Sequence, residues 1–173
     1  MEFRIRAAQL DDLTAIVAIY NAAIPGRLAT ADTVPVSVES RRAWFDSHDD
    51  SRYPIRVLET AEGGVLGWVS LRPFYGRPAY ASTAEISVYI ATGHHGQGHA
   101  RRLVEDIRLD CERLGLKNLV AFVFGHNQPS LRLFARAGFE RWGHLPGIAD
   151  LDGEERDLVI LGRRVGASSE AVG

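Results

Sequence analysis

The chain has 173 residues, of which 46% are hydrophobic and 24% charged, enough for one folded domain and too balanced for a disordered or low-complexity chain. A net charge of -2 gives no basic field to hold a nucleic acid, and a lone cysteine, Cys111, excludes an intrachain disulfide framework and a multi-cysteine zinc site. No apolar run approaches the ~20 residues of a membrane helix, and the opening "MEFRIRAAQLDDL" lacks the basic-then-apolar order of a signal peptide, so a cytoplasmic protein that meets neither nucleic acid nor membrane is expected.

"EFRIRAA" alternates Phe3 and Ile5 against Arg4 and Arg6, which predicts a first strand. Asp11 or Asp12 is placed to cap a helix carrying Leu13, Ile16, Val17 and Tyr20 on one face. "NAAIPGRLATADTVPVS" is a long loop of small and turn-forming residues, a kind that is often functional in compact domains. Ser37 opens a second helix, "VESRRAWFDSH". "YPIRVLET" and "VLGWVSLRP", joined by "EGG", predict an antiparallel hairpin, and "FYGRPAY" a loop. "STAEISVYIA" alternates again, with Ala84, Ile86, Val88 and Ile90 on one face and Glu85, Ser87 and Tyr89 on the other.

Beyond a glycine-rich stretch, Ala100, Leu103, Val104, Ile107, Cys111 and Leu114 form one apolar stripe of a helix that Gly115 is expected to stop. "LKNLVAFVF" is continuously apolar, the pattern of a strand buried on both faces. "NQPSLRLFARAG" is a short helix with Asn127 at its cap and Gly138 at its end. "FERWGHL" and "ERDLVILGRRV" read as closing strands joined by a loop, "PGIADLDGE". The order gives one α+β domain over residues 1–165, a twisted mixed sheet flanked by helices, with a flexible tail over 166–173.

The stretch "ATGHHGQGHA" lies where a strand passes into a helix. A helix start offers unpaired N–H groups and a positive dipole end, and glycines let an anion approach the backbone. His95, His99, Arg101 and Arg102 add hydrogen-bonding or positive character. The Gly-Lys-Ser/Thr of a P-loop and the Gly-x-Gly-x-x-Gly of a dinucleotide fold are both absent. His95 and His99 are four apart, but no third ligand or intervening acid accompanies them, so no metal site is expected.

His95-Gly96-Gln97-Gly98-His99-Ala100 resembles the pyrophosphate loop of the GCN5-related N-acetyltransferases, Gln/Arg-x-x-Gly-x-Gly/Ala, with His95 departing at the first position. "GHNQPSLRLFARAGFE" is similar to the family's second signature, through Asn127, Ser130, Gly138 and Phe139. "TAEISVYI", "IYNAAI" and "PVSVESRRAWF" resemble the phosphinothricin acetyltransferase branch, and the resemblance spans about residues 2–163. It implies acetyl-CoA as acetyl donor and a small amine as acceptor, often an amino acid or its analogue, on a sheet splayed where the cofactor enters. It also implies a homodimer. Backbone groups of Val88, Tyr89 and Ile90 would grip the pantetheine, Gly96, Gln97, Gly98, His99, Ala100 and Arg101, flanked by His95, would hold the pyrophosphate, and Asn127 and Ser130 would contact the remainder.

Acetyl transfer needs a neutral amine, a donor for the developing oxyanion and a leaving thiolate. Glu85, the charged residue in "STAEISVYI", is either a solvated strand residue or the base; the family match favours the base, acting directly or through water. The Val88 N–H is the candidate oxyanion donor. Relatives carry Tyr or His where this chain has Phe134, which cannot donate a proton. In "SLRPFYGRPAY", Arg72 or Arg77 could pair with a carboxylate, with Phe74, Tyr75 and Tyr80 walling the pocket and Arg27 as a further anion partner. The branch's basic residue, glycine and Trp before the last strand are replaced by "DLDGEERDLVIL". An amino acid or analogue, of the phosphinothricin or methionine sulfone type, is the expected acceptor. A polyamine, another amine, a protein N-terminus and a non-catalytic acyl-CoA sensor are the alternatives.

Overall fold

The computed structural model describes residues 2–166. The expected flexible tail therefore falls, from residue 167 onward, outside the described residues. Seven strands and four α-helices follow in the order β1 (Phe3–Ala7), α1 (Leu13–Ala23), α2 (Val38–Asp46), β2 (Ile55–Thr60), β3 (Val65–Pro73), β4 (Thr83–Ile90), α3 (His99–Leu109), β5 (Asn118–Phe124), α4 (Gln128–Arg136), β6 (Glu140–Leu151) and β7 (Glu154–Arg164). They form one mixed sheet in the order β1-β2-β3-β4-β5-β7-β6. Every neighbouring pair is antiparallel except β4 and β5. No described helix is long and apolar enough to cross a membrane.

Strand alternation sorts the core into two layers. Leu58, Val69, Leu71, Ala84 and Ile86 point to one face, where the α3 stripe Leu103, Val104 and Ile107 covers them with Phe134 of α4. Ile55, Val57 and Trp68 point to the other face and meet Ile16 and Ile19 of α1, with Trp44 and Phe45 of α2 packed alongside. The continuously apolar β5 is buried on both faces, as its composition demands. Cys111 is fully buried, and burial pushes its thiol up to about 11, so it is a packing residue.

Four expectations need revision. Asp12 caps nothing with its side chain toward α1; its carboxylate accepts the Gln9 N–H (2.7 Å) and two Arg6 hydrogen bonds (2.7 and 2.9 Å), closing a short 3₁₀ turn before the helix. The α3 helix ends at Leu109, before Gly115. Cys111 and Leu114 stay in register because the chain continues in tight turns, with Leu114 N bonded to Asp110 O at 3.0 Å. The expected loop "PGIADLDGE" is mostly strand: β6 runs to Leu151, and bulges between Arg141 and Gly143 and between Leu145 and Ala149 accommodate Gly143 and Pro146 on an edge strand. "FYGRPAY" contains a 3₁₀ turn, Pro78–Tyr80.

The sheet is split at its centre. β4 and β5 pair only from Thr83–Asn118 to Glu85–Val120, after which β4 continues to Ile90 and β5 to Phe124 without pairing.

Candidate active site

The split fixes which backbone groups are free. Ala91 N donates to Leu66 O at 2.8 Å, so odd-numbered β4 residues turn their N–H and C=O toward β3. Even-numbered ones turn toward β5. Val88 and Ile90 lie past the last β4–β5 pair, so their N–H groups face the gap. The register from Gly67–Ile90 to Pro73–Ala84 is unbroken, so the freed donor comes from strand divergence and no bulge in β4 is needed.

A cleft of about 860 Å³ opens at this split. Its floor is three cross-strand pairs of β3 and β4: Trp68 opposite Tyr89, Ser70 opposite Ser87, and Arg72 opposite Glu85. Trp68 and Tyr89 stack at 4.8 Å, and Tyr20 and Trp44 meet them edge-on or tilted. At the other end Arg72 grips Glu85 bidentately, Nε to Oε2 at 2.8 Å and Nη2 to Oε1 at 2.9 Å. The Glu85 side chain is only 13% exposed while that of Arg72 is 58% exposed. The Arg72 side chain makes no other hydrogen bond among the described residues, so its outer edge stays open to the cleft.

Phe74 and Tyr75 wall the same cleft, and Asn127, Ser130 and Phe134 close its α4 side. Arg77 and Tyr80 stand outside it. Arg77 precedes the 3₁₀ turn, exposed, and Tyr80 supports Phe74 from behind at 5.6 Å. Arg27 is no free anion partner: its Nε pairs with Asp152 at 2.6 Å. The residues missed from sequence are Tyr20, Arg41, Trp44 and Trp68, while Thr30 and Asp32 belong to the long loop expected to be functional. The Tyr20 hydroxyl donates to Asp32 and lies 2.6 Å from Thr30 Oγ1, and Arg41 binds Asp32 at 3.1 Å while its guanidinium covers the Tyr20 ring. Burial, then the Asp32 carboxylate, pushes the Tyr20 hydroxyl up. The signal for Trp68 was present: Trp68, Ser70 and Arg72 alternate with Val69 and Leu71 along β3.

The glycine stretch makes the α3 entrance an anion cradle. Gly93, Gly96 and Gly98 have φ of 86°, 75° and 81°, and a Cβ on any of them would meet nothing within 4 Å, so the space over them is open. Gly98 caps α3 without a side-chain bond, which leaves first-turn N–H groups of His99, Ala100 and Arg101 for a ligand. His95 and Gln97 serve the loop itself, through His95 Nε2 to Ile90 O (2.9 Å) and Gln97 Nε2 to Gly93 O (3.3 Å). The Ile90 carbonyl is thus occupied while its N–H is free. His99 corrects the expectation for its side chain. It is 4% exposed, packs edge-on against Phe3 at 4.8 Å, and has no hydrogen-bond partner on either ring nitrogen among the described residues. His95 and His99 therefore do not converge. Arg101 is exposed beside the cradle. Open glycines and an uncapped helix start fit a pyrophosphate, and the split strands fit an extended pantetheine arm.

The model of the acetyltransferase (GNAT) domain matches residues 2–140. The chain is 48% identical over 161 residues to a Bacillus subtilis protein named "Putative phosphinothricin acetyltransferase YwnH", covering 93% of this chain and 98% of that one. It is 35% identical to a Pseudomonas aeruginosa L-methionine sulfoximine/L-methionine sulfone acetyltransferase, over 93% of this chain and 94% of that one. Among solved structures, a Sinorhizobium meliloti GNAT-superfamily phosphinothricin acetyltransferase in complex with acetyl-CoA superposes with a TM-score of 0.90 at 26% identity, over 96% of this chain and 90% of that one.

Proposed function

The chain belongs to the acetyltransferase (GNAT) family, with acetyl-CoA as acetyl donor, and from that premise we propose that it N-acetylates the primary amine of a small amino acid or analogue of the phosphinothricin or methionine sulfone type. One juxtaposition carries the reading: the free Val88 N–H in the split lies on the same strand as the Glu85–Arg72 pair on the cleft floor. The donor, when bound, supplies an activated acetyl group. The residues of the chain do the rest.

The N–H groups at the start of α3 and the open glycines hold the diphosphate. Val88 and Ile90 offer N–H groups into the gap between β4 and β5, where they would hold the donor's arm, and the Val88 N–H would donate to the acetyl carbonyl oxygen. Glu85 lies three residues from Val88, about 10 Å along the strand, so it removes the amine proton through water. Arg72 stays on Glu85 through Nε and Nη2 and turns its open edge to the acceptor's carboxylate, so no existing bond is lost when the acceptor binds. Phe134 offers no proton and the Tyr89 hydroxyl is committed to Ala29 O at 3.1 Å, so neither would protonate the leaving thiolate and solvent would supply that proton. Tyr20, Trp44 and Trp68 wall the acceptor's side chain. We further expect a cytoplasmic homodimer; exposed Trp142, Leu145 and Ile148 along edge strand β6 support an apolar contact surface, which sedimentation would measure.

The test is coenzyme A release with acetyl-CoA and a panel headed by phosphinothricin, methionine sulfone and the common amino acids. Turnover with one of them supports the reading; none, in protein that binds acetyl-CoA, contradicts it and favours another amine or a sensor. Glu85→Gln should lower kcat by about 10²–10⁴-fold and leave the acetyl-CoA KM unchanged.

A further inference from the structure

Three consecutive carbonyls in the loop between α1 and α2 each accept a side-chain hydrogen bond. His126 Nε2 reaches Arg27 O at 2.9 Å, Asn127 Nδ2 reaches Leu28 O at 3.1 Å, and the Tyr89 hydroxyl reaches Ala29 O at 3.1 Å. Loop carbonyls ordinarily turn to water. Here the donors come from both sides of the split: Tyr89 from the end of β4 that has parted from β5, His126 and Asn127 from the turn after β5. The segment bridges strands that no longer bond to one another.

The surroundings fix Asn127 and Tyr89 as donors. Asn127 Oδ1 accepts the Ser130 N–H at 3.2 Å, which sets the amide orientation and leaves Nδ2 as the donor to Leu28. Burial pushes the Tyr89 hydroxyl up, which keeps it protonated as a donor. Arg27 has a φ of 50°, uncommon for a residue with a side chain, and such a conformation persists where its surroundings over-determine it. Its carbonyl is held by His126, its guanidinium by Asp152 and by Ile24 O. Immediately downstream, Leu28 to Asp32 line the cleft, and Thr30 and Asp32 meet Tyr20.

We propose that Tyr89 and His126, with Asn127, form a three-point clasp that positions the acceptor wall from the donor side of the site. Through these donor atoms they are positioning residues: the Tyr89 ring and Asn127 also line the cleft, but the Tyr89 hydroxyl, His126 Nε2 and Asn127 Nδ2 are spent on the segment they hold. The proposal rests on the acetyltransferase reading for its kinetic consequence, but not for its structural one.

Tyr89→Phe and His126→Phe each remove one donor and keep the ring. Each variant is read three ways: acceptor KM, acetyl-CoA KM, and the rate at which trypsin cuts after Arg27. The expected result is an acceptor KM raised about fivefold, an acetyl-CoA KM within about twofold, and faster cutting at Arg27. Wild-type cutting rates in both variants would overturn the clasp. Faster cutting with an unchanged acceptor KM would overturn its positioning role, as would an equal rise in both KM values. If the wild type acetylates no amine, the acetyltransferase reading falls, while the cutting rates still decide whether the clasp exists.

Discussion

Between β4 and α3 the chain turns on three glycines; between α1 and α2 it turns on side-chain tethers. The first loop keeps its backbone bare: Gly93, Gly96 and Gly98 take positive φ with open space above them, and His95 and Gln97 fold back to brace it. The second is laced from outside, by Tyr89, His126, Asn127 and Asp152. On the proposed function, an invariant diphosphate would be met by backbone N–H groups, which no substitution except proline removes. A variable acceptor is met by side chains, which can change one at a time. On the proposed function, the difference separates the half of the site that would handle acetyl-CoA from the half that would select an amine.

If the first loop works through bare backbone, Gly98→Val should damage it most. A β-branched residue at φ 81° is strained, and its Cβ enters the space left for the anion. The acetyl-CoA KM should rise about 100-fold or more while the acceptor KM holds; equal rises would erase the division of labour. Asp32→Ala breaks the second loop from within, by freeing Tyr20 and Arg41, and should raise the acceptor KM about tenfold with the acetyl-CoA KM unmoved.

A smaller effect separates the glycines from the histidine among them. Burial, then Arg102 and His94, pushes His99 below its usual range; Phe3 faces its ring and neither nitrogen is paired. As the pH falls through about 6.5 the unfolded chain therefore takes up this proton before the folded one does. The unfolded state then binds more protons, so stability is lost as the pH falls from about 6.5 toward the depressed folded value. Tm should fall between pH 7 and 5, and fall less in His99→Leu. An equal drop in that variant would show that His99 is not the source; His48, also lowered by burial, would be the next residue to replace.

The donor half was legible in sequence because its devices are local. Glycines at a strand-to-helix junction, Asn127 three residues before Ser130, and the uninterrupted apolar run of β5 each declare themselves within a few positions. The acceptor half is built across distance. Arg72 finds Glu85 through strand register, Tyr20 finds Asp32 across a loop, and Asn127 finds Leu28 across the whole fold. Side-chain direction was hidden too: His99 looked like a phosphate ligand, yet its place in the first turn of α3 aims it inward at Phe3. The length of β6 escaped because Pro146 and Gly147 read as a loop, where the bulge between Leu145 and Ala149 lets an edge strand carry them.

The most direct measurement compares coenzyme A release with an α-amino acid sulfone and with the same amine lacking its carboxylate, for the wild type and for Arg72→Met. The account predicts that the wild type prefers the carboxylate-bearing acceptor by about 100-fold or more in kcat/KM, and that Arg72→Met loses most of that preference. Equal use of both amines by the wild type, or a preference that survives in Arg72→Met, would contradict it.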